Sequence, residues 1–519
     1  MKEGIDLKLL LNNLSDKNFW NERSYNLPKF DIEKVKTKTK ESPTWLHFGA
    51  GNIFRIFPAM MQQQLLNNGE ADTGIIVCES FDEELIQKVY TPYDNLTIAV
   101  SLKCDGSMDK EIVASITESM LISESRAELE RIFSCESLQM VSFTITEKGY
   151  ADRNPNGLMA LITQMCYKRY QKSQLPLALV SMDNCSNNGD KLKDAVISFA
   201  QEWEKENKVE AGFTAYLQDP NKIFFPLSMI DKITPRPSDE IKAILEDDDI
   251  ADIEIIKTNK NTFASCFVNA EETGYLVIED KFPNGRPKLE NAGVLFVNRE
   301  TVHRVEQMKV CTCLNPLHTV LAVFGCLLSY ESISAEMKNK SLKDFIQKMA
   351  YTEGLPVVVN PEIIDPKHFA DEVIEKRLPN PFVPDTPQRI ACDTSQKIPV
   401  RFGETLKAYL AKGDDITNLT YIPLFFAGWL RYLMAIDDSG KPFELSPDPM
   451  LDTLLPHMEG IALGQTDGVK ENLKAILSNA DIFGVNLYEH GLAEKVESYF
   501  EELIQDKGSV AATLKKYIG

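Results

Sequence analysis

The sequence predicts an α/β protein in which an N-terminal doubly wound domain precedes a largely α-helical C-terminal domain. Three observations carry this. A short apolar run at 44–48 ends in Gly49-Ala-Gly51 and leads into a helical pattern. Strand-like and helix-like runs then alternate to about residue 182, as in a mostly parallel sheet with helical crossovers. After Glu300 the apolar spacing is predominantly helical to the end of the chain.

Composition limits the function classes. The 519 residues allow roughly two to four domains, and 43% hydrophobic with 26% charged residues is ordinary for a globular protein. A net charge of −21 argues against nucleic-acid binding and against docking on anionic membranes. An anionic substrate would therefore need a locally cationic site. No window approaches the ~18 uninterrupted apolar residues of a spanning helix, and Met1-Lys-Glu-Gly-Ile-Asp6 lacks the apolar core of a signal peptide. Most of the ten cysteines lie in apolar runs, as buried thiols of a reduced compartment do, so a cytoplasmic location is expected. Cys311-Thr-Cys313 lacks a second pair at zinc spacing and reads as packing, so no metal site is expected.

In chain order, residues 1–43 are polar and charged and read as an arm, or a short helix followed by a linker over 34–40. Residues 44–295 form the first expected domain. Strand, glycine turn and helix at 44–66 are the context of a Rossmann-like dinucleotide site. Gly49 and Gly51 would allow a tight turn and close approach of a pyrophosphate to the helix start, with Asn52, Ile53, Phe54 and Arg55 completing the cofactor contacts. Phe54 stands where the third glycine of the fingerprint would be. The next buried strand, 74–78, ends at Glu79, placed to bind a ribose and to favour NAD over NADP; Asp82 is the alternative, and either could instead cap the helix that follows. Runs at 96–102, 138–146 and 175–182 extend the sheet. Polar clusters at two strand ends, 144–150 and 181–189, fall where ligands bind such sheets. The first supplies Thr146 and Glu147 as cofactor contacts; the second is asparagine-rich, beyond what an N-cap needs. From 224 to 286 the chain is irregular and strand-rich.

Residues 296–519 form the second expected domain. It opens on Glu306–His318, which sets Lys309, Asn315 and His318 within ten residues ahead of an apolar run. A desolvated lysine can act as a base, an asparagine amide can steady an oxyanion, and a histidine can orient a hydroxyl. The stretch also reads as a surface lysine, a helix cap and a packed histidine, and its chemistry depends on the rest of the chain.

The motifs in order resemble the polyol-specific long-chain dehydrogenases, the family of mannitol dehydrogenases and hexuronate (fructuronate and tagaturonate) reductases. The resemblance rests on Phe48-Gly-Ala-Gly-Asn-Ile-Phe-Arg55, Thr146-Glu-Lys-Gly-Tyr150, Asp183-Asn184 with Asn188-Gly189, and Ser228-Met-Ile-Asp-Lys-Ile-Thr-Pro235. Val277-Ile-Glu-Asp280 with Gly285-Arg-Pro287, and Trp429-Leu-Arg-Tyr-Leu433, complete it. It covers residue 44 to the end. It implies zinc-independent hydride transfer between NAD and a small sugar acid or polyol, with Lys309 as the base and Asn184 and Asn315 as oxyanion donors. By the same resemblance His318 orients a hydroxyl, and Asp231, Arg389, Lys397 and, as an alternative to Asn184, Asn188 bind substrate. Arg389 and Lys397, in Arg389-Ile-Ala-Cys-Asp-Thr-Ser-Gln-Lys397, supply local positive charge.

One departure concerns geometry. Lys309 and Asn315 are one residue further apart than in the family pattern, and Pro316 follows. On an unbroken helix six residues advance about 240°, onto different sides. A helix restarting with Asn315 as N-cap and Pro316 next, or a bulge, would resolve this. The length and the Gly-x-Gly-Asn-x-x-Arg turn lean, by analogy, toward fructuronate reductase (D-mannonate oxidoreductase). The alternatives are a tagaturonate reductase, a mannitol 2-dehydrogenase, or a catalytically idle nucleotide-binding protein.

Overall fold

The computed structural model describes residues 7–172, 174–466 and 468–519. The first six residues of the expected arm lie outside these. The chain falls into two compact units, residues 7–103 with Ser107–Val302, and Cys104–Gly106 with His303–Gly519.

The first unit is built on six parallel strands: β1 (Trp45–Phe48), β2 (Ile75–Glu79), β3 (Ile116–Leu121), β4 (Met140–Phe143), β5 (Leu177–Ser181) and β6 (Ile223–Phe224). Their order is β3-β2-β1-β4-β5-β6, so the winding reverses between β1 and β4. That is the doubly wound dinucleotide-binding order, in which ligands sit beyond the carboxyl ends of the strands at the reversal. Every residue of β1, β2, β4 and β5 is buried, as expected of a sheet covered on both faces. Alternation along β1 divides the two cores. Leu46 and Phe48 join one cluster with α3 (Leu158–Lys172) and α4 (Asn188–Lys205), while Trp45 joins the other.

The glycine turn leads into α1 (Asn52–Ile56) and α2 (Pro58–Asn67). The expected single helix is interrupted at Phe57 (φ −124°, ψ −74°) because Pro58 has no N–H and crowds the residue before it. Two further expectations are corrected. Residues 97–102 belong to a separate four-stranded sheet, antiparallel to Met108–Val113 and parallel to Phe267–Glu271. The main sheet's third strand is instead β3, whose Glu118 and Ser119 hide its strand character. The presumed linker at 34–40 lies in a helix, Ile32–Glu41, whose N-cap Asp31 accepts from Lys34 N–H. Ser228–Asp231 pairs antiparallel with Tyr275–Glu279, which lies parallel to Leu295–Val297.

Helix α5 (Arg299–Met308) runs into a π-turn, Lys309–Cys313, and then α6 (Asn315–Leu327). The segment Arg299–Leu327 is long and apolar enough to cross a membrane, but 78% of its most apolar window is buried inside the protein, as in a core helix. In the second unit α6 packs on α9 (Tyr421–Leu433), and a Cβ at Gly428 would meet the Phe324 ring at 2.3 Å. The buried Glu353 carboxylate accepts the N–H groups of Tyr421 and Ile422 at 2.8 Å each, anchoring the α9 N-terminus. Between α6 and α9 lie α7 (Pro387–Ile390), α8 (Thr394–Ile398) and a second π-turn, Pro399–Gly403.

Candidate active site

At the carboxyl end of β1, Gly49 has φ +108° and donates its N–H to Cys78 O at 3.0 Å. A Cβ there would lie 2.2 Å from the Thr144 carbonyl, so only glycine lets the ends of β1 and β4 approach this closely. Gly51 differs: its φ is −74°, and a Cβ would meet nothing within 4 Å. The turn faces open space at the winding reversal, which fits a dinucleotide pyrophosphate lying against its backbone.

Two side chains hold Ala50 between the glycines. Its N–H donates to Glu79 Oε2 at 2.7 Å and its carbonyl accepts from Tyr90 OH at 2.9 Å. Glu79 Oε1 also accepts the N–H groups of Ser80, Phe81 and Asp82 at 2.8–3.2 Å, and the residue is 6% exposed. The expected ribose carboxylate is thus occupied in tying the glycine turn to the end of β2. Asp82 is buried and accepts from Thr258 Oγ1.

The side chains of two of the expected cofactor contacts are turned into the core. Arg55 is 1% exposed, donates to Thr97 Oγ1 and Ser265 O, and lies over the Tyr90 ring, so its guanidinium braces the core. Phe54 is fully buried, its ring stacked on His47 at 3.9 Å. His47 itself lies between Ser142 Oγ and Thr144 Oγ1, and burial pushes its pKa down to about 3. Asn52 donates to Phe263 O, and Ile53 is half-buried beside it.

Beyond β4 and β5 the two polar clusters meet. The Asp183 carboxylate accepts the N–H groups of Ile145 and Thr146 at 3.0 Å each, and the Tyr150 hydroxyl at 2.5 Å. Burial pushes its pKa up, against these bonds, which favour the charged form. Thr146 is exposed with φ +68°, ψ 156°, a conformation a β-branched residue rarely adopts. Glu147 is exposed and bonded to Lys191. Asn188 is corrected as a substrate contact. Its amide donates to Asp183 O and Ser228 Oγ and accepts from Gly189 and Ser228 N–H, so all four positions are filled at zero exposure. Asn184 is exposed and its amide has no partner among the described residues. Asp231 is buried at the end of its strand.

In the second unit the extra residue between Lys309 and Asn315 is absorbed by the π-turn. Leu314 N–H bonds to Lys309 O at 3.1 Å, one residue beyond α-helical reach, and α6 restarts at Asn315. Leu314, not Asn315, holds the N-cap position, so the Asn315 amide does not serve as the expected cap. Lys309 opens the π-turn at 5% exposure.

His318, one turn on, has a side chain 17% exposed, with Nε2 3.4 Å from Asp385 Oδ2. Asp385 is itself paired with Arg389. Burial, then the nearby Arg401, Arg389, Arg377 and Lys397, push the His318 pKa down to about 3, leaving a neutral imidazole. Lys397 donates to Ile390 O, and burial followed by Arg401 lowers its pKa. The structure thus brings His318, Arg389 and Lys397 into one group and adds Arg401 and Asp385, which no sequence motif marks. A cation four residues after Lys397 was the available signal.

The comparisons with known proteins divide the chain in the same way. Residues 43–291 match the mannitol dehydrogenase Rossmann domain, and residues 301–504 the mannitol dehydrogenase C-terminal domain. The chain belongs to the mannitol dehydrogenase family. It is an oxidoreductase acting on CH–OH groups. A D-mannonate oxidoreductase of Thermotoga maritima is 48% identical, covering 99% of each chain. Among solved structures, a D-sorbitol dehydrogenase superposes with TM-score 0.79 at 22% identity over 94% of this chain and 97% of that one. A mannitol 2-dehydrogenase of Pseudomonas fluorescens, in complex with NAD and D-mannitol, gives TM-score 0.68 at 22% identity over 98% and 99%. At that identity both speak to the fold of this family.

Proposed function

We propose that this protein is an NAD-dependent, zinc-independent oxidoreductase that interconverts D-mannonate and D-fructuronate. The observation that carries this is the end-to-end 48% identity to a D-mannonate oxidoreductase. The cationic group around His318, in a chain of net charge −21, supports an anionic substrate.

In the oxidation direction Lys309, buried at the start of the π-turn, takes the proton of the reacting hydroxyl. NAD, when bound, would supply the hydride acceptor for the same carbon. The products are the keto acid, the reduced cofactor and a proton on Lys309. The Asn315 amide, not engaged in capping, and the exposed Asn184 amide donate to the oxygen as charge develops. Each such donor is worth about 3–4 kcal/mol of barrier. Neutral His318 orients a neighbouring hydroxyl, with Asp385 fixing the ring. By the family resemblance the Gly49–Gly51 turn would hold the pyrophosphate and Asp231 would contact the substrate.

The test is oxidation of NADH over D-fructuronate, D-tagaturonate and D-fructose, followed by absorbance. Fructuronate is expected to have the highest kcat/KM. A clear preference for fructose would replace this reading with a mannitol 2-dehydrogenase. Lys309→Ala should abolish turnover and leave NADH fluorescence titration unchanged; residual turnover near wild type would remove Lys309 from the mechanism.

A further inference from the structure

Two of the arginines that brace this fold have their guanidinium groups taken up by main-chain carbonyls. Arg169 donates to Phe133, Cys135, Leu138, Leu175 and Pro176, and Arg431 to Leu503, Ile436 and Asp437. Arg401 is different. It sits half-buried in the π-turn Pro399–Gly403, and just beyond that turn Thr405 Oγ1 donates to Cys311 O of the Lys309–Cys313 π-turn at 3.2 Å. Its Nη1 alone is engaged, donating to Thr319 Oγ1 and to Asn315 O at 3.4 Å, so the side chain is locked against the first turn of α6. Nε and Nη2 have no protein partner, and no Asp or Glu pairs with this guanidinium among the described residues.

A cation withdrawn from water without a counter-ion is costly, and buried charges are normally paired. Burial pushes the Arg401 pKa down to about 10, which reflects that cost. Its surroundings add to it. Lys397 and Arg389 lie in the same group, the first bonded to a carbonyl and the second paired with Asp385. The N-terminus of α6, with no side-chain cap, contributes further partial positive charge. The carboxylate of the group, Asp385, pairs with Arg389 and faces His318, and does not pair with Arg401.

We infer that Arg401 is the carboxylate anchor of the substrate site: its open Nε–Nη2 edge takes the carboxylate of a six-carbon sugar acid as a forked pair and so selects aldonates and hexuronates over neutral polyols. This rests on the proposed reading of the enzyme as acting on a sugar acid. A forked guanidinium–carboxylate pair is charge-assisted and geometrically specific. A neutral polyol in its place leaves the cation unpaired, and sites built for a polar partner reject analogues lacking it strongly.

The test combines specificity with binding that involves no turnover. D-Mannonate is titrated into enzyme saturated with NADH, where no hydride can move, and NADH fluorescence is followed. Arg401→Gln should weaken mannonate at least 30-fold without altering the NADH titration. It should also lower kcat/KM for mannonate at least 100-fold, with that for D-mannitol unchanged or raised. Arg401→Lys, which keeps the charge and loses the fork, should fall between, and serves if Arg401→Gln does not fold. If folded Arg401 variants bind mannonate as the wild type does, the anchor is overturned while the proposed function stands. If the wild type turns over neutral polyols and neither binds nor oxidises sugar acids, the proposed function falls, and the anchor with it.

Discussion

The backbone N–H of Thr146 donates to Oδ1 of Asp183 at 3.0 Å, and Thr146 at the other end of that bond has φ +68°. The neighbouring Ile145 N–H takes Oδ2 of the same carboxylate. Asp183 thereby holds a β-branched residue in a conformation that costs about 1–3 kcal/mol, at the β4 end beside the winding reversal. Glycine at 146 would remove the strain at an entropic cost of about 0.5–1 kcal/mol. Thr146→Gly is expected to raise stability by about 1 kcal/mol. In an Asp183→Asn background, itself destabilised by about 3 kcal/mol through lost bonds to a charged acceptor, that gain should vanish. A double-mutant cycle by urea unfolding measures the coupling.

The two glycines of the turn should separate folding from binding. Gly49→Ala puts a Cβ 2.2 Å from the Thr144 carbonyl at φ +108° and is expected to lower stability by more than about 3 kcal/mol or prevent folding. At Gly51 an added Cβ meets no protein atom within 4 Å, so the melting temperature of Gly51→Ala should stay near wild type. If the proposed pyrophosphate site lies against this turn, the added methyl intrudes on it, and NADH affinity by fluorescence titration should fall at least about tenfold, ~1.4 kcal/mol.

His318 should remain neutral across the working range. Its folded pKa of about 3 lies below the ordinary 6.5, so below pH 6.5 the unfolded chain takes a proton that the folded chain does not. Stability is therefore lost as pH falls below that value, by on the order of 2 kcal/mol at pH 5. His318→Asn should remove this part of the acid sensitivity in denaturation at pH 5 and 8. In labelled protein the His318 ring resonances should not shift between pH 5 and 9.

Glu336 has the opposite sign. It is fully buried, both carboxyl oxygens lack partners, and burial pushes its pKa to about 10. Above the ordinary value of 4.5 the unfolded chain releases a proton that the folded chain keeps, so stability falls as pH rises toward 10. Glu336→Met, which removes the ionisable group and keeps the volume, should be more stable at pH 7 by on the order of 3 kcal/mol, with a smaller gain at pH 5. Denaturation at the two pH values checks both the gain and its direction.

Local pattern made much of this protein legible from its sequence. The apolar runs of β1, β2, β4 and β5, the glycine turn and the helical second half are all properties of near neighbours along the chain. The Lys309–Asn315 spacing exposed an irregularity that the π-turn accounts for, since an inserted residue must leave the α-helical ladder somewhere. Where a run is buried on both faces, however, pattern does not say which sheet it joins. Residues 97–102 looked like a main-sheet strand and pair elsewhere.

What the sequence by itself determined, then, is the order of elements and which residues could do chemistry. Tertiary structure decided which of them are available for it. Glu79 is claimed by a backbone N–H 29 residues away, Asn188 by Ser228 at 40, and Arg55 by a carbonyl at 210. Arg401 reaches α6 across 82 residues and keeps its outer edge open. A polar side chain's role depends on which donors and acceptors the fold brings to it, and those partners lie too far along the chain for any local period to record.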